Sequence, residues 1–328
     1  MIEGGGMLRT QLCDLLGVEH PIMLAGMGGV SYSEVAAAVS EAGGFGCLGA
    51  AGMDYDEMVR EIRALKARTT KPFGVDLLTA SPRDMVPFVE TICAEGARAF
   101  VAGLGVPAKV VDLCHRNGVV VVNMCGKVSH ALRAVDAGCD IVVAQGTEAG
   151  GHTGQIATLP LVPLIVDAVK VPVVAAGGIF DGRGLVAALA LGAQGIWMGT
   201  RFIASIEARA HHLYKERILD IDETGTVVTR AYSGKTMRAI RTQYTDEWER
   251  KPEELQPFPL QAMRATQDGV WHCLAGPEAG LDPERDCMPT GQSAGGIREV
   301  KPCREIIADI LAQAESILGR LPTVAQAR

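Results

Sequence analysis

The sequence is poor in aromatic residues, has no long apolar segment and carries no excess of positive charge. Aromatic residues make up 5% of its 328 residues, and the formal net charge is −7. Chains that bind nucleic acid usually carry a basic patch or stripe, and no cluster of lysine and arginine stands out here. No apolar run approaches the roughly 18 residues that a membrane span needs. We therefore expect neither a nucleic acid nor a membrane as a partner.

The cysteines and the N-terminus both indicate a reducing compartment. The nine cysteines are scattered without any C-x-x-C pair, whereas disulfide frameworks belong to oxidising environments. Residues 1–7 lack the basic start and the apolar stretch of a secretory signal peptide. Residues 1–6 are interpreted as a flexible lead-in or as the result of an alternative start, with Met7 beginning the folded part. We therefore predict a cytoplasmic protein.

Motifs that mark several other enzyme classes are missing as well. The sequence contains no Gly-x-Ser-x-Gly elbow, no Walker loop and no nuclease-like acidic cluster. The adjacent His211 and His212 have no third ligand at the spacing of a zinc site. No metal site is predicted.

Short apolar runs alternate with helical patterns over the first 200 residues. Strands that are buried on both faces appear as continuous apolar runs. The strand candidates lie at residues 21–27, 44–50, 72–78, 99–104, 119–124, 141–146, 171–178 and 195–200. Eight such β/α units predict an α/β protein with a closed (β/α)8 TIM barrel, and a doubly wound open sheet is the alternative.

The position of the glycine-rich loops favours the barrel over the open sheet. Two of them follow the seventh and eighth strand candidates, where barrels commonly bind phosphate. A dinucleotide-binding sheet would instead carry Gly-x-Gly-x-x-Gly after its first strand, and residues 25–29 lack that spacing. We predict a barrel at 8–205, an inserted lid or substrate domain at 206–300, and a helix at 301–320 that completes the barrel.

The segment 145–155 packs four glycines around one histidine, directly after a strand candidate. Glycine lets the backbone approach a ligand closely, and a histidine in such a loop can transfer protons near neutral pH. We therefore predict that His152 is catalytic. The alternative is a loop histidine that only caps backbone groups.

The glycine pair Gly177 and Gly178 and the dipeptide Gly199 and Thr200 each follow an apolar run. Backbone N–H groups at such loops form a cradle for phosphate, so we favour phosphate binding over simple turn formation. Asp181 is expected to cap the helix that follows the first of these loops. Arg183 and Arg201 are expected to pair with the phosphate or with neighbouring carboxylates.

At these motifs the chain resembles the nitronate monooxygenase (2-nitropropane dioxygenase-like) family, which includes the FMN-dependent type II enoyl-acyl carrier protein reductases. The matching segments lie at residues 20–27, 42–46, 71–76, 144–152, 175–184 and 198–201. Segments 235–241 and 290–295 resemble the enoyl reductases more than the nitronate enzymes. The resemblance covers most of residues 8–205 in the expected order.

The resemblance implies a TIM barrel that binds FMN, with His152 at the position of the active-site histidine. The residues that it and the glycine loops together assign to the cofactor are Gly26, Met27, Asp76, Gln145, Gly150, Gly151, Gly177, Gly178, Met198, Gly199 and Thr200. Asp76 stands where many members have asparagine, and a carboxylate cannot donate the hydrogen bond that an amide can. Met124 falls where some nitronate-oxidising members carry lysine.

The resemblance implies an FMN-dependent oxidoreductase that oxidises alkyl nitronates with O2. The alternative is an NAD(P)H-dependent FMN reductase that acts on an enoyl thioester of acyl carrier protein or coenzyme A, or on a quinone. A barrel that binds a phosphorylated metabolite without redox chemistry is a third option. The expected partners are a small-molecule or acyl-thioester substrate, NAD(P)H as electron donor, and a second copy in a homodimer.

Overall fold

Eight parallel strands form a nearly closed barrel in this computed structural model, which describes residues 8–79, 84–103, 105 and 108–326. The predicted lead-in and Met7 lie outside the described residues. The barrel strands are β1 Ile22–Leu24, β2 Gly46–Gly49, β3 Phe73–Leu78, β4 Ala99–Gly103, β5 Val120–Cys125, β6 Ile141–Gln145, β8 Val173–Ala176 and β9 Gly195–Met198. They pair in the order β1-β9-β8-β6-β5-β4-β3-β2. A parallel bridge between Met23 and Phe45 connects the two ends of this order, so the predicted barrel is confirmed.

Helices alternate with the barrel strands and cover the outside of the sheet. They are α2 Ser33–Glu41, α3 Tyr55–Arg68, α4 Val86–Ala94, α5 Ala108–Arg116, α6 Val128–Asp136, α7 Thr158–Ala168, α8 Gly182–Ala190 and the single turn α9 Thr200–Ile203. Glycines with positive φ follow several of them, including Gly138 after α6 and Gly192 after α8. This is the conformation that commonly ends a helix.

Successive residues of the strands point alternately into the barrel and towards the helices. Met23 and Val143 belong to the interior cluster, whereas Leu24 and Val142 pack in the outer layer. Because both faces are apolar, the strands show no alternation in sequence. The short helix α1 (Gln11–Leu16) contributes Leu12 and Leu16 to the interior and closes the end of the barrel opposite the strand carboxyl ends.

The segment after the eighth barrel strand and the histidine loop together form a small antiparallel sheet above the barrel mouth. Its strands are β10 Thr226–Thr229, β11 Met237–Ile240 and β7 Gly151–His152, in the order β10-β11-β7. In this sheet Met237 lies opposite His152. The histidine loop is thus attached to the later segment by main-chain pairing.

Further helices of this segment are α10 His212–Asp220, α11 Gln243–Glu249 and α12 Leu260–Gln267, with 3-10 turns at Pro252–Glu254, His272–Leu274 and Gln292–Gly296. The last helix, α13 Cys303–Gln326, packs against α8 and α2. Its Gln313 side chain accepts a hydrogen bond from the main-chain N–H of Gly182, at 2.7 Å. Within the described residues, no helix is both long and apolar enough to cross a membrane.

Candidate active site

A cavity of about 300 Å³ opens at the carboxyl ends of the barrel strands. Every residue that the sequence assigned to the site lines it. These residues are Gly26, Met27, Asp76, Gln145, Gly150, Gly151, His152, Gly177, Gly178, Met198, Gly199 and Thr200. The barrel brings them together because parallel strands present their carboxyl ends at one edge.

Gly26, two residues beyond the end of β1, lies against the Asp76 side chain of β3 on one side of this cavity. A Cβ atom on Gly26 would lie 2.2 Å from the Cβ and 2.4 Å from Oδ2 of Asp76. Such a distance is far below van der Waals contact, so only glycine fits at position 26. The Asp76 side chain forms part of the wall of the cavity.

The loops after β8 and β9 leave main-chain donors free. Gly177 and Gly178 have φ values of 104° and 74°, which side chains rarely tolerate. Among the described residues, the N–H groups of Gly177, Gly178 and Thr200 have no hydrogen-bond acceptor. The side-chain oxygen of Thr200 accepts from the N–H of Gly291 at 2.9 Å, which joins the second loop to the segment before the last helix.

Two of the three polar residues near these loops behave as the sequence suggested. The Asp181 carboxylate caps α8 by accepting from the N–H of Arg183, and it also pairs with the Arg183 guanidinium at 2.6 Å. Arg201 differs from the expectation. Its Nη2 donates to the main-chain oxygens of Ala204 and Glu299, both at 2.7 Å, because its buried side chain turns towards the start of the last helix.

His152 is held by hydrogen bonds from three directions. Its main-chain oxygen accepts from the Gln145 side chain at 3.0 Å, and its backbone pairs with β11. Its Nε2 lies 2.9 Å from the hydroxyl oxygen of Ser233. Glu148 stabilises the loop, since its carboxylate accepts from the N–H and the hydroxyl of Thr158.

Burial lowers the pKa of His152 below its usual value, and the positive charge of Lys235 lowers it further. The imidazole is therefore neutral at neutral pH and can accept a proton. Ser233 can accept from Nε2–H while it donates to the main-chain oxygen of Lys235 at 3.2 Å. This arrangement leaves Nδ1 as the nitrogen with a free lone pair.

Ser233 was not predicted from the sequence. It is 81 residues from His152 and lies in a segment without a catalytic motif. The pairing of β7 with β11 brings Ser233 next to His152. A two-residue strand such as β7 is too short for any periodicity to reveal.

Burial raises the pKa of Asp76 to about 8. No described basic side chain lies close enough to offset this effect, and the carboxyl has no hydrogen bond within the described residues. The group is thus largely protonated at neutral pH. In that form it can donate a hydrogen bond.

A second cavity, of about 990 Å³, adjoins the first. Met124, Gln145 and His152 line both cavities. Reagents that occupy the two spaces would therefore meet at the imidazole. Trp248 and the stacked pair Tyr232 and Tyr244 pack among themselves and line neither of these two cavities.

In the described part of the chain, no group of three or more histidine, cysteine, aspartate or glutamate side chains could hold a metal ion. His211 instead caps α10, where its Nδ1 accepts from the N–H of Leu213 at 3.2 Å.

The sequence model of the nitronate monooxygenase family matches residues 9–93 and 84–313 of this chain. The chain belongs to the nitronate monooxygenase family. It is accordingly an oxidoreductase with a TIM-barrel fold, and membership agrees with a cavity built from the family's motifs.

Three proteins that are similar to this chain carry different names. FabK from Thermotoga maritima superposes with a TM-score of 0.88 at 39% identity, over 96% of this chain and 99% of that one. A probable nitronate monooxygenase from Staphylococcus saprophyticus is 34% identical over 77% of this chain and 84% of its own length. A 5-hydroxy-7a-methyl-1-oxo-octahydro-1H-indene-4-carboxyl-CoA dehydrogenase from Mycobacterium tuberculosis is 40% identical over 74% of this chain and 69% of its own length.

Proposed function

We propose that this protein is an FMN-dependent oxidoreductase that oxidises alkyl nitronates with O2. The observation that carries the proposal is a neutral, half-buried imidazole at the junction of two cavities, opposite main-chain donors that lack acceptors. Family membership supports the reaction class. The twelve predicted site residues that line the cavity support the assignment of His152 as catalytic and of the others as cofactor ligands.

The residues present fit FMN. The free N–H groups of Gly177, Gly178 and Thr200 suit a phosphate, and a protonated Asp76 suits a polar atom of the ring system. Gly26 and Met27 supply a wall of backbone and thioether against which a flat ring can pack. The chemistry that FMN supplies when bound is electron transfer from the substrate, with O2 as the final oxidant.

The chain's own part in the reaction centres on His152. With Nε2 engaged by Ser233, the Nδ1 lone pair can take the carbon-bound proton of a nitroalkane or accept a hydrogen bond. Gln145 fixes the loop through the main-chain oxygen of His152, so the imidazole keeps its place while the substrate exchanges. Met27 and Met124 provide an apolar lining beside the imidazole.

The test compares the protein with His152→Ala. We expect the purified protein to absorb near ~450 nm, to consume O2 with an alkyl nitronate, and to lose roughly 10²–10⁴-fold in turnover when the histidine is removed. The variant should keep its colour. An unchanged rate would remove His152 from the mechanism, and a folded protein that takes up no FMN would refute the flavoenzyme.

A second candidate is an NAD(P)H-dependent reductase of an acyl thioester. The large cavity beside His152 favours it, as does the similarity to a carboxyl-CoA dehydrogenase. Anaerobic stopped-flow mixing with NADH and NADPH separates the two candidates. Rapid bleaching of the flavin by either nucleotide would count against a pure nitronate monooxygenase.

We also propose that residues 206–300 act as a lid over the barrel of residues 8–205, with α13 completing the barrel. A cytoplasmic location and a homodimer belong to the same proposal. Sedimentation of the purified protein tests the dimer, and a monomer at micromolar concentration would refute it.

A further inference from the structure

The second cavity differs from the first in size and in charge. Its volume of about 990 Å³ lies at the upper end of the range for drug-sized ligands. A small alkyl nitronate would fill little of it. The cavity reaches the reaction centre at His152, so a ligand that occupies it can place one end against the imidazole.

The described lining of this cavity is basic. It includes Arg133, Arg230, Lys235 and His130, and it contains no aspartate or glutamate. Acidic residues outnumber basic ones in the whole chain, 38 to 31, so a cavity with only basic charges departs from the average composition.

The three cations come from two separate parts of the fold. Arg133 lies on α6, whereas Arg230 and Lys235 flank the turn between β10 and β11. None of them forms an ion pair with a carboxylate in the part of the chain that the structure describes. Three unpaired cations around one space repel each other, and an anionic ligand would relieve that repulsion.

Local contacts hold two of these cations in place without neutralising them. Arg230 Nε donates to the main-chain oxygen of Gly234 at 3.0 Å, which leaves its terminal nitrogens free. The Lys235 ammonium lies 4.4 Å from the centre of the Phe258 ring, a contact that keeps the charge. Both side chains keep N–H groups that can donate to a ligand.

We infer that this cavity binds the phosphate groups of a large substrate or co-substrate whose reactive end reaches His152. The shared chemistry is a nucleotide pyrophosphate on a flexible arm. It is found in an acyl thioester of coenzyme A and in a pyridine dinucleotide. Arg133, Arg230 and Lys235 contact the phosphates, and the arm extends past Met124. The inference rests on the proposed thioester reaction for the position of the reactive end only.

The test is calorimetric titration of the flavin-loaded protein with coenzyme A, NADPH, NADH and pantetheine, which lacks the pyrophosphate. We expect coenzyme A or a dinucleotide to bind at least roughly tenfold more tightly than pantetheine, with an affinity that falls as salt is raised. If coenzyme A binds more tightly than the dinucleotides, the ligand of this cavity is a coenzyme A thioester. If a dinucleotide binds more tightly, the ligand is the electron donor.

Single variants Arg133→Gln, Arg230→Gln and Lys235→Gln should each weaken that binding roughly five- to tenfold, since hydrogen bonds to charged groups are the strong ones. Arg116→Gln is the matched control, because Arg116 is exposed on α5 and outside the cavity. Equal affinity for pantetheine and coenzyme A, or wild-type affinity in all three variants, would overturn the inference. These titrations measure binding, so a failure of turnover with intact binding would refute the proposed reaction alone.

Discussion

Replacing Asp76 with asparagine should stabilise the flavin-free protein, and the gain should grow with pH. An unfolded chain ionises this carboxyl near 3.8, whereas burial holds its pKa at about 8 in the native state. Between those values the native state binds one proton more than the unfolded state. Stability therefore falls as pH rises from about 4 to about 8, and it stays low above that range.

The magnitude follows from the separation of the two pKa values. Each pH unit between the two values corresponds to about 1.36 kcal/mol. Ionisation of the Asp76 carboxyl in the unfolded chain therefore lowers the free energy of unfolding by about 4 kcal/mol at pH 7 and by about 1.6 kcal/mol at pH 5. Water reaches Asp76 through the open mouth of the cavity, so these figures are upper bounds. Asparagine has nearly the same shape and does not titrate, which leaves the contact with Gly26 intact.

Urea unfolding of the flavin-free protein at pH 5, 6, 7 and 8 measures this effect. We expect the midpoint of Asp76→Asn to exceed that of the wild type by an amount that increases with each step. Asp112→Asn serves as the control, because Asp112 is exposed on α5. A difference between Asp76→Asn and wild type that is constant over the four pH values would refute the reasoning.

Two further substitutions test the site. Ser233→Ala should lower kcat roughly tenfold with little change in KM, because one hydrogen bond to the imidazole is lost. It should also shift the pH profile of kcat, and Ser233→Thr should restore both the rate and the profile. An unaltered profile in Ser233→Ala would argue that Ser233 has only a packing role. Gly26→Ala should lower stability by about 1–3 kcal/mol and reduce flavin content, because its Cβ would overlap Asp76; wild-type values for melting temperature and bound flavin would contradict this geometry.

The order and type of the barrel elements were readable from local patterns. The predicted strand at 72–78 became β3 Phe73–Leu78, and the one at 141–146 became β6 Ile141–Gln145. Continuous apolar runs with glycine-ended helices between them leave few alternatives, because parallel strands buried on both faces need such crossovers. The site residues of the glycine loops followed, since they lie directly after strands.

Other features depended on contacts between distant parts of the chain. Ser233 meets His152 only through the pairing of β7 with β11. Arg133 and Lys235 line one cavity although about a hundred residues separate them. The pKa of Asp76 reflects its burial against Gly26, whereas the sequence shows only an aspartate in an apolar run.

The sequence by itself thus determined the barrel, the edge at which the glycine loops meet and the histidine that lies there. These properties depend on backbone preferences and on burial patterns within single β/α units. The tertiary structure alone decided which nitrogen of His152 is free, which charges surround the second cavity and how far Asp76 is shielded from water. Hydrogen bonding and electrostatics act through space, and only the folded chain fixes those distances.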